Sequence, residues 1–223
     1  IGVGSWFGEL PYAYLPAEVP APAHSFMVQG TGYGRSFTML GNHGLLIDCG
    51  NASTAEMMTA PSLFHAGYTP AVLLVSTPRS SSGDGAAVLQ RIWPDLQVVH
   101  AHELPPEGYS FETQAGRFTI FPVPGDMPRR NAADCAPLVL WESARGRALY
   151  IGDAAFATYA PHAGTPADVA ILGKHPLQPV NGAEVSAGRI ILLPSYTADK
   201  NTGTPHGIPV AENQNLRLEI SGS

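Results

Sequence analysis

The chain predicts an α/β fold of sheets with helices outside, and three observations carry that prediction. Strand-like runs outnumber helical ones along its length. Strand–helix–strand units recur near both ends. The 21 prolines and 24 glycines punctuate the chain throughout, which cuts it into short elements joined by tight turns. The pattern fits one large mixed sheet, or two sheets packed face to face with helices outside.

Residues 1–24 carry Trp6, Phe7, Tyr12 and Tyr14 among Pro11, Pro16, Pro20 and Pro22, and read as an extended arm or linker. A single domain is expected over 25–223. It opens with strands at Ser25–Gly30 and Arg35–Leu40, a turn at Gly41–Gly44, and a strand at Leu45–Asp48; Asn42 and the glycines supply the positive φ angles such turns need. Ala52–Ala66 reads as a helix capped by Ser53 or Thr54 and stopped by Gly67, with Pro61 breaking or kinking it. Ala71–Ser76 is a continuous apolar run, the pattern of a strand buried on both faces.

A short helix over Gly85–Trp93 ends at Pro94. Strands are expected at Leu96–His100, Phe111–Ala115, Arg117–Pro122, Pro137–Glu142 and Ala148–Gly152, with hairpins at Ala115–Gly116 and Ser143–Gly146. Asp168–Leu172, Ile190–Pro194 and Leu216–Ile220 complete the set. No repeat recurs at a 20–50 residue period.

Composition excludes some functions. Apolar residues make up 44% of the chain, enough for a packed interior. No run of 18 apolar residues is present to span a bilayer. Net charge is −6, and the 12 Lys and Arg are scattered beyond the pair Arg129–Arg130, which disfavours a role tracking nucleic acid through many phosphates. The first residue reads as a cut, since neither a methionine nor a basic-then-apolar leader precedes it. Cys49 and Cys135 lack the spacing of a structural zinc site; they read as two buried thiols or one long-range disulfide.

Four strings, in order, resemble the metallo-β-lactamase fold and most closely the extracytoplasmic domain of ComEC-type DNA-internalisation (competence) proteins. FMVQGTGYGRSFTMLGNHGLLIDCG (Phe26–Gly50) resembles that family's opening strands and its L-I-D-T-G-like turn. TAPSLFHAGYTPAVLLVSTP (Thr59–Pro78) resembles the helix and strand that lead into the metal loop. NAADCAPLVLWESARGRALYIGDA (Asn131–Ala154) resembles the N-x-x-S-L-V-L…LLTGD hairpin, and ADVAILGKHP (Ala167–Pro176) the A-D-V-L-K-x-x-H-H-G-S strand and loop. The four strings are spread over Phe26–Pro176, roughly two thirds of the chain, and it is their shared order that carries the resemblance. They imply an αββα sandwich of two mixed sheets, packed face to face with helices outside.

Proteins of that fold hold zinc or manganese through His and Asp at one end of the sandwich, where the metal generates a nucleophilic hydroxide. The family's first ligand loop reads approximately S-H-P-D-x-D-H-x-G-G; here it is Ser76-Thr77-Pro78-Arg79-Ser80-Ser81-Ser82-Gly83-Asp84-Gly85. Thr77, Arg79, Ser81 and Ser82 stand at the ligand-type positions. Hydroxyls are poor ligands for these metals, and a guanidinium repels a dication. Asp153 matches the family's bridging aspartate and His175 one histidine of its H-H-G, so the resemblance implies a vestigial site of Thr77, Arg79, Ser81, Ser82, Asp153 and His175. It also implies no catalytic residue, no cofactor, and an extracytoplasmic place in a larger membrane protein. A channel portion of that protein is then a partner, and DNA a partner that the charge does not indicate. A disulfide between Cys49 and Cys135 is consistent with that compartment.

Each residue also has a plain structural reading. Asp153 and Asp48 follow strands and can accept turn N–H groups, and His175 can be a solvated loop residue. His100 and His102 form an H-x-H at strand spacing, with both side chains expected on one face. Gly30–Gly34 joins two strands and does not open a helix, so it is no phosphate cradle. The serine run lacks the G-x-S-x-G setting of a hydrolase nucleophile. The alternative function is a metal-dependent phosphodiesterase or nuclease with rearranged zinc or manganese ligands, drawn from Asp84, Asp153, His175, His43 and His206. A third is an interaction module built on the proline- and aromatic-rich arm.

Overall fold

The computed structural model describes residues 19–32, 35–77, 84–122, 136–152, 162, 164–173, 185–194, 207–211 and 214–220. Among them, thirteen strands form two sheets. The first sheet runs β13 (Asn215–Glu219), β1 (Ser25–Gly32), β2 (Arg35–Leu40), β3 (Leu45–Ile47), β4 (Val72–Val75), β5 (Gln97–His100). The second runs β12 (Ile208–Pro209), β11 (Ala187–Leu192), β10 (Ala167–Leu172), β9 (Gly146–Gly152), β8 (Leu138–Ser143), β7 (Gly116–Phe121), β6 (Tyr109–Thr113). Both sheets are mixed: β3, β4 and β5 are mutually parallel, as are β9 through β12, while the hairpins pair antiparallel.

The period-2 alternation of side chains sorts the core into layers. Phe26, Val28, Leu45, Ile47, Val72 and Leu74 point from the first sheet to meet Phe118, Ile120, Trp141, Ala148 and Ile171 of the second. The opposite face of the first sheet, with Met27, Met39, Leu46, Leu73 and Val75, is covered by Ala60, Leu63, Val88 and Leu89 from the helices. β4 is thus buried on both faces, as its unbroken apolar run predicts. Trp141 lies at the centre with Nε1 donating to Ala115 O at 2.9 Å, which satisfies its one polar atom. Leu138, Leu149, Ile151 and Ala170 form a further apolar layer on the outer face of the second sheet. The described helices pack on the first sheet, and none is long and apolar enough to cross a membrane.

One expectation about the first helical run needs correction. Helix α1 (Ala52–Thr54), a π-helical turn (Ala55–Thr59) and helix α2 (Ala60–Ala66) are continuous, and the N-cap is Asn51, not Ser53 or Thr54. Asn51 is extended (φ −73°, ψ 175°), and its Oδ1 accepts the Thr54 N–H at 2.9 Å. Pro61 neither breaks the run nor ends it. Proline has no N–H to return to the carbonyl four residues back, and the turn before it widens so that the Ala60 N–H reaches Ala55 O. Gly67 closes α2 in the left-handed conformation (φ 77°), as expected of a stop glycine.

Two small elements carry no strong sequence signal, the two-residue β12 and a 3₁₀ turn at Ala101–Glu103. Helix α3 (Ala86–Ile92) lies within the expected span. Of the arm, residues 1–18 lie outside the described residues; Ala21 is buried, and its N–H donates to Gly67 O at 2.8 Å.

The two sheets share a direction. Gly41 (φ 71°), in the turn between β2 and β3, sits so close to Ala115 and Trp141 that a Cβ there would collide with the Ala115 methyl. Trp141 is in register with Ala148 near the start of β9. The starts of β3 and β9 therefore lie together at one end, the foot. The ends of β3, β4, β5, β9 and β10 all lie at the other end, the mouth.

Candidate functional site

At the mouth, β3 leaves its sheet through Asp48, Cys49 and Gly50. Asp48 adopts a left-handed conformation (φ 59°) that aspartate tolerates better than most residues. Its N–H donates to Leu74 O at 2.9 Å, and its carboxylate crosses to the end of β4. There Oδ1 accepts the Ser76 N–H at 2.9 Å and Oδ2 accepts the Ser76 hydroxyl at 2.7 Å. Asp48 is thus the turn-fixing residue that its position after a strand predicts. Both of its oxygens are engaged by Ser76.

Thr77 follows and is buried. Arg79, Ser81 and Ser82 lie outside the described residues, but both ends of their loop are fixed. Ser76 is held by Asp48 at one end. At the other, the Gly85 N–H donates to Gly50 O at 3.0 Å. A Cβ at Gly85 would strike the Ala55 methyl and lie 3.0 Å from the carbonyl oxygens of Gly50 and Asn51, so only glycine allows this approach. Ser76 and Gly85 are therefore both held to the Asp48–Asn51 turn. Asp84, beside Gly85, is exposed.

Cys49 is buried beneath this turn. Its Sγ–H points to Gly50 O at 3.6 Å, and its carbonyl accepts the Thr59 hydroxyl at 2.9 Å. Burial first, then the Asp48 carboxylate, push the thiol up to about 12. Cys135 lies outside the described residues, as do Asp153 and His175. Gly152 and Gly173, the described residues that precede those two, stand at the mouth ends of β9 and β10.

His100 ends β5 opposite Val75, at mouth level. The pairing with His102 has a different cause from the one expected. The chain turns as a 3₁₀ helix after His100, and that turn, not strand alternation, brings the two rings to 5.6 Å between centroids. His102 Nε2 lies 3.6 Å from Glu103 Oε1 on the surface. His162, which the sequence did not single out, packs against Phe121 with centroids 3.9 Å apart, and burial lowers its pKa. A lone histidine in a loop gives no signal of such a contact.

His43 falls away as a ligand candidate for the mouth. It lies in the β2–β3 turn at the foot, its N–H donating to Thr69 O at 2.8 Å. The three residues of β3, about 10 Å at ~3.3 Å per residue, separate its turn from Asp48. His206 lies outside the described residues. Among the described residues, no three His, Cys, Asp or Glu side chains are grouped so as to hold a metal ion.

Solved structures share this arrangement of two sheets. Tm1679, described as a metal-dependent hydrolase of the β-lactamase superfamily, matches with a TM-score of 0.58 and 9% identity, covering 89% of this chain and 100% of its own. YhfI from Bacillus subtilis, a metallo-β-lactamase-fold protein, matches with a TM-score of 0.53 and 12% identity, over 88% and 99% of the two chains.

The chain has the metallo-β-lactamase fold.

At these identities the likeness concerns fold alone. No protein-family profile matches the chain, and no curated protein matches it. Of the site residues that the sequence resemblance implied, Thr77 alone lies among the described residues.

Proposed function

We propose that this is a ComEC-like domain of a DNA-uptake protein whose metal site is degenerate, and that it acts by structure or binding, without hydrolysis. One observation carries the reading. Ser76 and Gly85, the described residues on either side of the serine run, are both held to the Asp48–Asn51 turn at the mouth, Ser76 by Asp48 and Gly85 by Gly50. The ligand-type positions that the resemblance implies hold Thr77, Arg79, Ser81 and Ser82. Hydroxyls and a guanidinium do not fit a dication, and each Asp48 carboxylate oxygen already accepts a hydrogen bond from Ser76. Asp153 and His175 would supply two ligands, fewer than the three or four of a tight zinc site. In this reading the domain sits on the outer face of the cell membrane, joined to a channel portion of the same protein.

Metal analysis of protein purified without chelator tests the first half; near-stoichiometric zinc or manganese overturns it. DNA uptake by a host carrying the Asp153→Ala/His175→Ala variant tests the second. Uptake at the unmodified frequency is expected, and its loss with the fold intact overturns a non-catalytic role.

A further inference from the structure

At the foot, opposite the mouth, lies a solvent-open cavity of about 1000 Å³. Arg145, Arg147 and Arg189 line it, three of the chain's 12 basic residues in a protein of net charge −6. The second sheet explains which of these cations are already neutralised. Across its outer face, charges alternate in register: Glu112 opposite Arg117, Arg117 opposite Glu142, Glu142 opposite Arg147. Arg147 Nε lies 3.2 Å from Glu142 Oε1, and the Arg147 N–H donates to Asp168 Oδ2 at 2.7 Å. The row then reaches Gly188, which has no side chain, and stops.

The two carboxylates that line the cavity are both engaged. Asp168 accepts from Arg147, and Glu219 Oε2 lies 3.2 Å from His24 Nε2. Arg145, in the β8–β9 hairpin, and Arg189, on β11 beside Gly188, make no ion pair among the described residues. Two exposed guanidiniums without an acidic partner on one open cavity suit a ligand bearing several anionic oxygens. A planar guanidinium can donate two parallel hydrogen bonds to one such group.

We propose that this cavity binds a phosphate group through Arg145 and Arg189, with Arg147 held in position by Glu142. The site is independent of the proposed role at the mouth. Its phosphate comes either from a small ester or free phosphate, or from a nucleic-acid backbone.

The test is calorimetric titration of the 223-residue chain with inorganic phosphate and, separately, with a ten-residue oligothymidylate. Binding of either is expected, with affinity falling more than about tenfold in Arg145→Gln/Arg189→Gln. Arg145→Lys/Arg189→Lys should retain part of it, because the charge remains and the fork does not. Arg91→Gln, on α3 against the other sheet, should leave it unchanged. Phosphate alone would identify the small ligand, and the oligonucleotide alone the backbone. Failure of both to bind overturns the site. So does an undiminished affinity in the double glutamine variant with near-ultraviolet circular dichroism intact, or an equal loss in Arg91→Gln.

Discussion

Asp48 and Ser76, 28 residues apart, are joined by two hydrogen bonds that one carboxylate accepts, from the serine N–H at 2.9 Å and from its hydroxyl at 2.7 Å. That link closes the ends of two adjacent parallel strands and sets where the serine loop begins. Asp48→Ala leaves the Ser76 N–H without its acceptor and puts alanine at φ 59°, so it should cost about 2–4 kcal/mol. Asp48→Asn keeps one acceptor and tolerates the backbone, and Ser76→Ala keeps the N–H bond; each should cost about 1 kcal/mol. Urea denaturation measures all three, and equal losses for Ala and Asn at position 48 would sink the account.

Gly85 is a steric requirement with no backbone strain, since its φ is −75°. Gly85→Ala should destabilise by about 1–3 kcal/mol, because Ala55 and the carbonyls of Gly50 and Asn51 crowd the new methyl group. The paired variant Ala55→Gly relieves the contact with the Ala55 methyl, so recovery in Gly85→Ala/Ala55→Gly is the distinguishing measurement.

The Cys49 thiol should be inert to alkylation in the folded protein at pH 8, and react once the chain is unfolded without reductant. Its pKa rises from 9.0 to about 12 on folding, so the protonated form is favoured in the native state. The associated stability is fully present below pH 9 and is lost as pH climbs through 12. Mass spectrometry of alkylated protein checks this. A thiol that reacts only after reduction would instead establish the bridge to Cys135.

Arg217 ties the edge strand β13 to the end of helix α2. Its Nη2 donates to Ala66 O at 2.8 Å, and its guanidinium stands 5.7 Å from the centroid of the Tyr68 ring. Arg217→Ala should cost about 1–2 kcal/mol, and thermal unfolding reads the loss. Arg217→Lys should recover only part of it, because an ammonium cannot donate and stack with the same planar group.

Most elements were legible because their signals are local. The continuous apolar run at Val72–Val75, the glycine stop at Gly67 and the hairpin turns each depend on a few neighbouring residues. The N-cap was misplaced by two or three residues because Ser53, Thr54 and Asn51 are all good caps by type; the turn out of β3 decides which of them is extended. That residues 77–82 hold no carboxylate or imidazole is read directly from the sequence. The foot cavity was not legible, because Arg145 and Arg189 are 44 positions apart and come to line one cavity only through the order β9–β10–β11.

The sequence by itself determined the alternation that buries one face of each strand, the turn chemistry, and the residue types available to the serine loop. Those follow from backbone sterics and side-chain period, which act over a handful of residues. Only the tertiary structure decided that Asp48 meets Ser76, that Gly85 returns to Gly50, and that His43 lies at the opposite end from both. Such pairings depend on which strands neighbour one another and in what register, and on loop closures whose outcome no single segment encodes.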